Sequence, residues 1–367
     1  MEEYETAIRA CFAGDYADAR GRFLAAVAGT PVKSYDNPNK GPRGEALATD
    51  TAWFGAPDAP AVLVLVSATH GVEGYTGSGC QVDWLRGGGP ARLPNGVAML
   101  LIHAINPYGF AWERRVTEEN VDLNRNFVDF TQKLPENPGH DELADAFVPA
   151  ALDGPVFEAA ERRIAEYRRR NGEQALQIAR GGGQYKHPGS VFFGGSGPTW
   201  SRRTLERIAA DYGLGRRRVV GTIDYHTGLG PFGYGEPILG QLPGTVGVVR
   251  AKRWWGHSAT EPALGTSSSV IKVGLSEFGW TALLGDRVSC AALEYGTFTQ
   301  EEGRRALRED HWLHNSRNRV DWDDPEVRRI KAQIRRQYFP DTDDWKEMVL
   351  FRSRQVIAQA LAGLTEG

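Results

Sequence analysis

Two unbroken apolar runs limit the folds open to this chain. Ala61-Val62-Leu63-Val64-Leu65-Val66-Ser67-Ala68 and Val97-Ala98-Met99-Leu100-Leu101-Ile102-His103-Ala104-Ile105 scarcely alternate with polar residues. Strands that read this way are covered on both faces. Between them, Gly77 to Leu85 reads as a helix. Strand, helix and strand at this spacing make a βαβ unit with a parallel pair. Val219 to Tyr225 reads as a third core strand and Val288 to Leu293 as a fourth. The expected class is therefore α/β, a twisted mixed sheet flanked by helices. Such sheets bind ligands at the carboxyl ends of their strands.

The rest of the chain decorates that sheet. Residues 2 to 28 are expected to be helical, with Tyr4, Ile8, Cys11, Phe12, Phe23, Leu24 and Val27 at helix-like spacing and interruptions at Gly14 and Gly21. Polar, glycine- and proline-rich sequence follows to about Arg43, and residues 47 to 54 partly alternate as a strand does. Residues 128 to 150 are polar and proline-rich. Residues 156 to 180 read as one long charged helix stopped by Gly181-Gly182-Gly183, and residues 200 to 212 as another. From about Asp324 the chain is helical, interrupted at Pro340. No internal repeat and no clean linker is present. The expected organisation is an N-terminal helical segment (1–33), one domain (34–323) with an insertion at about 128–215, and a C-terminal helical segment (324–367) packed on it.

Composition excludes several classes. The net charge is −3, from 43 basic and 46 acidic residues, interspersed, so no basic stripe awaits a nucleic acid. Cys11, Cys80 and Cys290 form no Cys-x-x-Cys pair, which argues against thiolate metal sites and fits a reducing compartment. No apolar run reaches the roughly 20 residues of a membrane helix. The acidic start, Met1-Glu2-Glu3-Tyr4-Glu5, lacks the pattern of a signal peptide. A soluble, cytoplasmic protein is expected, with no nucleic-acid or membrane partner. Glycine stands out, at 44 of 367 residues, about 12% against roughly 7% in average usage, and much of it lies in long connections. That suggests loops shaped around a site.

The candidate site begins with His70-Gly71-Val72-Glu73, directly after the first buried strand. An imidazole and a carboxylate three residues apart can point at one spot on the sheet edge. Zinc accepts both ligand types, and a catalytic zinc takes three protein ligands and keeps a fourth position open. His226 closes the third strand before a glycine-rich loop and offers the third ligand. Asp224, two residues earlier, shares a strand face with it and could orient an imidazole. Glu294 ends the fourth strand, where a carboxylate after apolar residues is costly unless paired or functional. Its functional role would be a general base and acid. After the second strand, Arg114 and Arg115, then Asn124 and Arg125 within Asp122-Leu123-Asn124-Arg125-Asn126-Phe127, supply guanidinium forks suited to a carboxylate or an oxyanion. Phe193-Gly194-Gly195-Ser196-Gly197-Pro198 lacks the lysine of a phosphate loop and reads as a loop near the site entrance. The other six histidines read as ordinary structural residues, and Trp200, Trp254 and Trp255 as packing aromatics.

These motifs, in this order, resemble the zinc carboxypeptidase superfamily. Within it the chain looks closest to the DUF2817 group, which is similar to the succinylglutamate desuccinylase/aspartoacylase branch. The likeness runs from about Ser34 to Phe298 and is strongest over Asn106–Phe127 and Asp224–Gly235. It implies one zinc ion held by His70, Glu73 and His226, and catalysis by Glu294. It implies an oxyanion-stabilising arginine at Arg115, with Arg114 adjacent, and a substrate carboxylate bound by Asn124 and Arg125. An assisting tyrosine has no clear counterpart among Tyr225, Tyr234 and Tyr295. The expected activity is hydrolysis of an amide bond in a small carboxylate-bearing substrate, as in an N-acyl amino acid deacylase. The alternatives are trimming of C-terminal residues from short peptides, or a metal- or ligand-binding protein without catalysis. A homo-oligomer is compatible with all three.

Overall fold

The computed structural model describes residues 2–317 and 320–366. Met1, Asn318, Arg319, Gly367 and the side chains of Glu2, Glu3 and Tyr4 lie outside what is described. Among the described residues, one sheet of seven strands organises the fold. The strands are β1 (Val32–Lys40), β2 (Ala46–Phe54), β3 (Ala61–Val66), β4 (Val97–His103), β5 (Val219–Phe232), β6 (Gly235–Ile238) and β7 (Val288–Gly296). Their order is β1-β2-β4-β3-β5-β7-β6. The four central strands β4, β3, β5 and β7 run parallel, and β1–β2, β2–β4 and β6–β7 pair antiparallel. The fold is the expected α/β class with a mixed sheet.

The helices are α1 (Glu2–Arg9), α2 (Tyr16–Ala26), α3 (Gly74–Arg86), α4 (Pro107–Ala111), α5 (Pro138–Phe147), α6 (Gly154–Asn171), α7 (Glu173–Gly181), α8 (Trp200–Asp211), α9 (Val246–Trp255), α10 (Ser276–Leu284), α11 (Gln300–Ser316), α12 (Pro325–Tyr338) and α13 (Asp343–Thr365). The strands' alternation divides the core. Leu63, Leu65, Met99, Leu101, Ile223 and Leu293 pack with α2, α3, α9 and α13 on one face. Val62, Val64, Leu100, Ile102, Val220 and Cys290 pack with α8 and α10 on the other. Leu63 and Leu65 are fully buried, and burial of each contributes on the order of 1.5–3 kcal/mol. A third cluster joins α5, α6 and α7 to α11 and α12.

Several elements differ from expectation. The first helix is two, broken before the Asp15 cap of α2, whose carboxylate accepts from the Asp18 amide. β1 forms from sequence read as loop. It is a polar edge strand, and Pro38 sits where its register with β2 slips, a tolerated place for a residue without an N–H. The long charged helix is α6 and α7, divided at Gly172, whose φ of 86° no side-chain-bearing residue adopts readily. α5 lies in the stretch read as polar and proline-rich, started by Pro138 behind the Asn137 cap. The break at Pro340 falls between α12 and α13 as expected. No helix among the described residues is long and apolar enough to cross a membrane.

Candidate metal centre and pocket

The chain turns to opposite sides of the sheet after β3, which pairs with β4 on one side and β5 on the other. A crevice opens at such a switch point, outside the carboxyl ends of the strands. Ala68 and Ala104, just past β3 and β4, both take left-handed backbone conformations (φ 62° and 58°). Each costs about 1–2 kcal/mol for a residue with a Cβ. The hydrogen bonds between the two loops stabilise them there, with the Ile105 amide donating to Ser67 O (3.0 Å) and the Asn106 amide to Ala68 O (3.2 Å). The chain leaving β3 then passes so close to α4 that a Cβ on Gly71 would lie 1.9 Å from the Gly109 carbonyl carbon. The Gly71 and Val72 amides donate to the carbonyls of Arg115 and Arg114 (3.2 and 2.9 Å). The His70–Glu73 turn and the arginine loop are thereby built as one piece.

His70, Glu73 and His226 converge in the crevice, each buried, with one ligand atom apiece within 4.8 Å of the others. His70 Nδ1 lies 3.1 Å from His226 Nδ1. The Glu73 carboxylate sits against both, 3.0 Å from the first and 3.2 Å from the second. Its Oε2 also accepts from the Thr227 amide (3.1 Å). Asp224 Oδ2 is 3.2 Å from His226 Nε2, though off the hydrogen-bonding direction, so that nitrogen has no partner of its own. Asp224 is held by the hydroxyls of Thr69 (2.9 Å) and Ser276 (3.2 Å). Asp122 does the equivalent work for His70, with Oδ1 3.2 Å from its Nε2. The Asp-Leu-Asn-Arg motif contained Asp122, but no residue nearby in sequence pointed to its partner.

The donor set fits a cation. Two nitrogens bound to one tetrahedral zinc at ordinary Zn–N lengths would lie about 3.3 Å apart, close to what is observed here. Burial opposes charge on Glu73, yet His70, His226 and Arg115 hold its carboxyl well below the usual range. Burial likewise opposes charge on His226, yet Asp224 and Glu73 raise its pKa well above the ordinary value. The crevice thus favours positive charge between these groups, and a metal would take the place of a proton there.

His226 and Glu294 are paired across β5 and β7 and share a face of the sheet. Glu294 is 7% exposed, and its Oε1 accepts from the Leu229 amide (3.1 Å). Burial, then the charge of Glu73, raises its pKa above the ordinary carboxylate value. Arg115, not Arg114, faces the centre. It donates to Asp122 (3.0 Å) and Glu73 (3.1 Å) and lies 2.8 Å from His70 Nε2. Arg114 turns away and donates to Asp310 (3.0 Å). Asn124 and Arg125 line the same pocket. The Asn124 side-chain oxygen is taken by the Ser276 amide (2.7 Å), which leaves its amide N–H groups for a ligand. Arg125 is fully buried and donates to the Gly181 carbonyl (2.8 Å), while its Nε has no partner.

Other pocket residues carried no sequence signal. Lys272 enters from the loop after α9, which Glu236 anchors by accepting from Ser267 Oγ (2.8 Å) and the Ser268 amide (3.2 Å). Burial, then Arg125, lowers the Lys272 pKa to about 8. Glu277 of α10 accepts from the Gly240 amide (3.1 Å), and burial pushes its carboxyl up to about 7. Tyr338, at the end of α12, is the tyrosine that lines the pocket. Tyr225 and Tyr295 instead point into the opposite layer, toward Ser353 (2.8 Å) and Val349 O (3.1 Å), and Tyr234 is on the surface. The glycine-rich loop at 193–198 packs on Asn126, whose amide donates to Gly194 O (2.8 Å), and it does not line the pocket. The pocket has a volume of about 240 Å³, small beside ligand pockets of roughly 300–1,000 Å³. α5, α7 and α11 contribute to its wall.

The fold is similar to that of carboxypeptidase A from Helicoverpa armigera, with 13% identity, 98% of this chain and 75% of that chain covered, and a TM-score of 0.50. Weaker likenesses reach an aspartoacylase family protein from Mesorhizobium loti (13% identity, 73% and 62% covered, TM-score 0.37) and the succinylglutamate desuccinylase from Chromobacterium violaceum (14%, 88% and 74%, 0.36). No curated protein matches in sequence. The profile described as protein of unknown function (DUF2817) matches residues 12–352, nearly the whole chain, and the protein belongs to that family.

Proposed function

We propose that this protein is a zinc-dependent hydrolase that cleaves an amide bond in a small substrate carrying a carboxylate. The observation that supports it most is the convergence of His70 Nδ1, His226 Nδ1 and Glu73 within 4.8 Å, with Glu294 beside His226 on the next strand. A zinc ion held by those three residues would supply Lewis acidity, polarising the scissile carbonyl and lowering the pKa of a water to about 7.

The chain's own groups divide the remaining work. Glu294 takes the water's proton on a carboxylate oxygen and passes it to the leaving nitrogen, and its raised pKa suits it to both transfers. Arg115 donates to the oxygen that gains negative charge. Asp122 holds the His70 imidazole in place, and the Asp224 carboxylate lies against that of His226. Asn124 and Arg125 hold the substrate carboxylate. Lys272 adds a further cation to the pocket.

Trimming of peptide C-termini would use the same groups. The insertion helices α5 and α7 in the wall and the small cavity favour compact amides over a chain. A binding protein without turnover would not need Glu294 buried at its strand end. Hydrolysis of a panel of N-acyl amino acids and dipeptides, with and without chelator, separates the three. We expect chelator-sensitive release of the amine from N-acyl amino acids. Turnover that chelator leaves intact would refute the reading.

A further inference from the structure

Arg180 stands out among the charged groups that the proposed chemistry leaves unused. It lies in the last turn of α7, half-buried, and lines the same pocket as Arg125. The two sites are adjacent, since Arg125 donates to the carbonyl of Gly181, the residue after Arg180. Arg180 forms no ion pair among the described residues, and its Nε is buried without a hydrogen-bond partner. Its guanidinium lies over the ring of Phe147, with Cζ 5.8 Å from the ring centre.

The nearby acids are engaged elsewhere. Glu301 pairs with Arg304, and Glu173 with Arg168 (3.3 Å). Arg304, which also lines the pocket, adds positive charge without sharing a carboxylate with Arg180. Burial, then the charge of Arg304, lowers the Arg180 pKa to about 10, so the side chain still carries its charge near neutrality. A cation at a helix C-terminus is favourable, which accounts for an arginine at this end of α7. It does not account for a guanidinium on the wall of a cavity without a counter-ion. Gln177, one turn earlier on α7, and Gln300 of α11 put amide groups on the same wall.

We propose that Arg180 forms a second anion subsite, so that the substrate carries two anionic groups, one at Asn124 and Arg125 and one at Arg180. This rests on the reading of the pocket as a substrate site, and names the substrate class as a dianion. The planar fork of Arg180 is suited to bidentate capture of a carboxylate.

The test measures binding, so that it stands apart from turnover. Calorimetry on the full chain compares straight-chain diacids from succinate to suberate with monoacids of equal carbon number. In the wild type, at least one diacid should bind about tenfold more tightly than its monoacid, the effect expected of one added charged hydrogen-bonding group. Arg180→Gln should erase that preference while monoacid binding stays within about twofold. Gln177→Glu, which places a carboxylate one turn from Arg180, should erase it too, and covers the case in which Arg180→Gln does not fold. Arg125→Gln should weaken both ligand types. A wild type without diacid preference, or a preference that survives either change on α7, overturns the proposal. If the preference holds but no amide is hydrolysed, the hydrolase reading fails and the subsite stands.

Discussion

His70 Nδ1 and His226 Nδ1 face each other at 3.1 Å, although 156 positions separate them in the chain. Two ring nitrogens at that distance, with a carboxylate against both, need a proton or a metal between them. Burial of all three residues makes any unpaired lone pair costly, which is why this contact organises the account that follows.

The assignment of Glu294 as the base predicts a clean separation of functions. Glu294→Gln should keep its metal and lose about 100- to 10,000-fold in kcat, the usual contribution of a general acid–base group. Metal analysis together with steady-state kinetics on the same preparation checks both halves. Undiminished turnover would remove Glu294 from the mechanism.

The two arginines should fail differently. Arg115→Met should lower kcat about 100- to 1,000-fold with little change in KM, as loss of an oxyanion donor does. Arg125→Met should act mainly on KM. Equal effects on KM from both would contradict the division of labour.

Lys272 predicts a pH dependence. Its pKa is lowered to about 8, so the cation is present below that pH and lost above it. Affinity for an anionic substrate should therefore fall as pH rises through about 8, seen as a rising KM. Lys272→Met should flatten that limb of the profile. A limb that persists in the variant belongs to another group.

Asp310 concerns stability. It accepts from Lys331 Nζ (2.6 Å) and Arg114 Nε (3.0 Å), and the three side chains are 1%, 1% and 4% exposed. Removing the carboxylate leaves two buried cations uncompensated, at a cost of about 3–5 kcal/mol. Burial opposes its charge, but Lys331 and Arg114 hold its pKa far below the ordinary carboxylate value. The folded pKa is depressed, so the contribution is complete above the unfolded value near 3.8 and is lost as pH falls below it. Urea unfolding of wild type and Asp310→Asn should differ most near neutrality and converge toward acid.

What was legible in the sequence followed from residues tied to the buried strands. His70, His226 and Glu294 each sit at or just past the end of an apolar run, and a parallel sheet brings such ends together. β1 escaped notice because an edge strand needs few apolar residues, and α5 because Pro138 reads as loop although it opens a helix. Asp122, Lys272, Glu277, Arg180 and Tyr338 were not legible as site residues. They reach the pocket through tertiary packing of distant segments, and no local periodicity encodes a distance across the fold. The choice of Arg115 over Arg114 was also open, because adjacent loop residues have no fixed alternation of faces. In the fold Asp310 engages Arg114, and Arg115 is the one that faces the centre.

Anomalous diffraction from crystals of the purified protein, recorded on both sides of the zinc absorption edge, addresses the central claim most directly. One zinc peak should appear, bonded to His70 Nδ1, His226 Nδ1 and Glu73, and it should vanish in His226→Ala. Fully active protein with no metal at those three side chains would contradict the account.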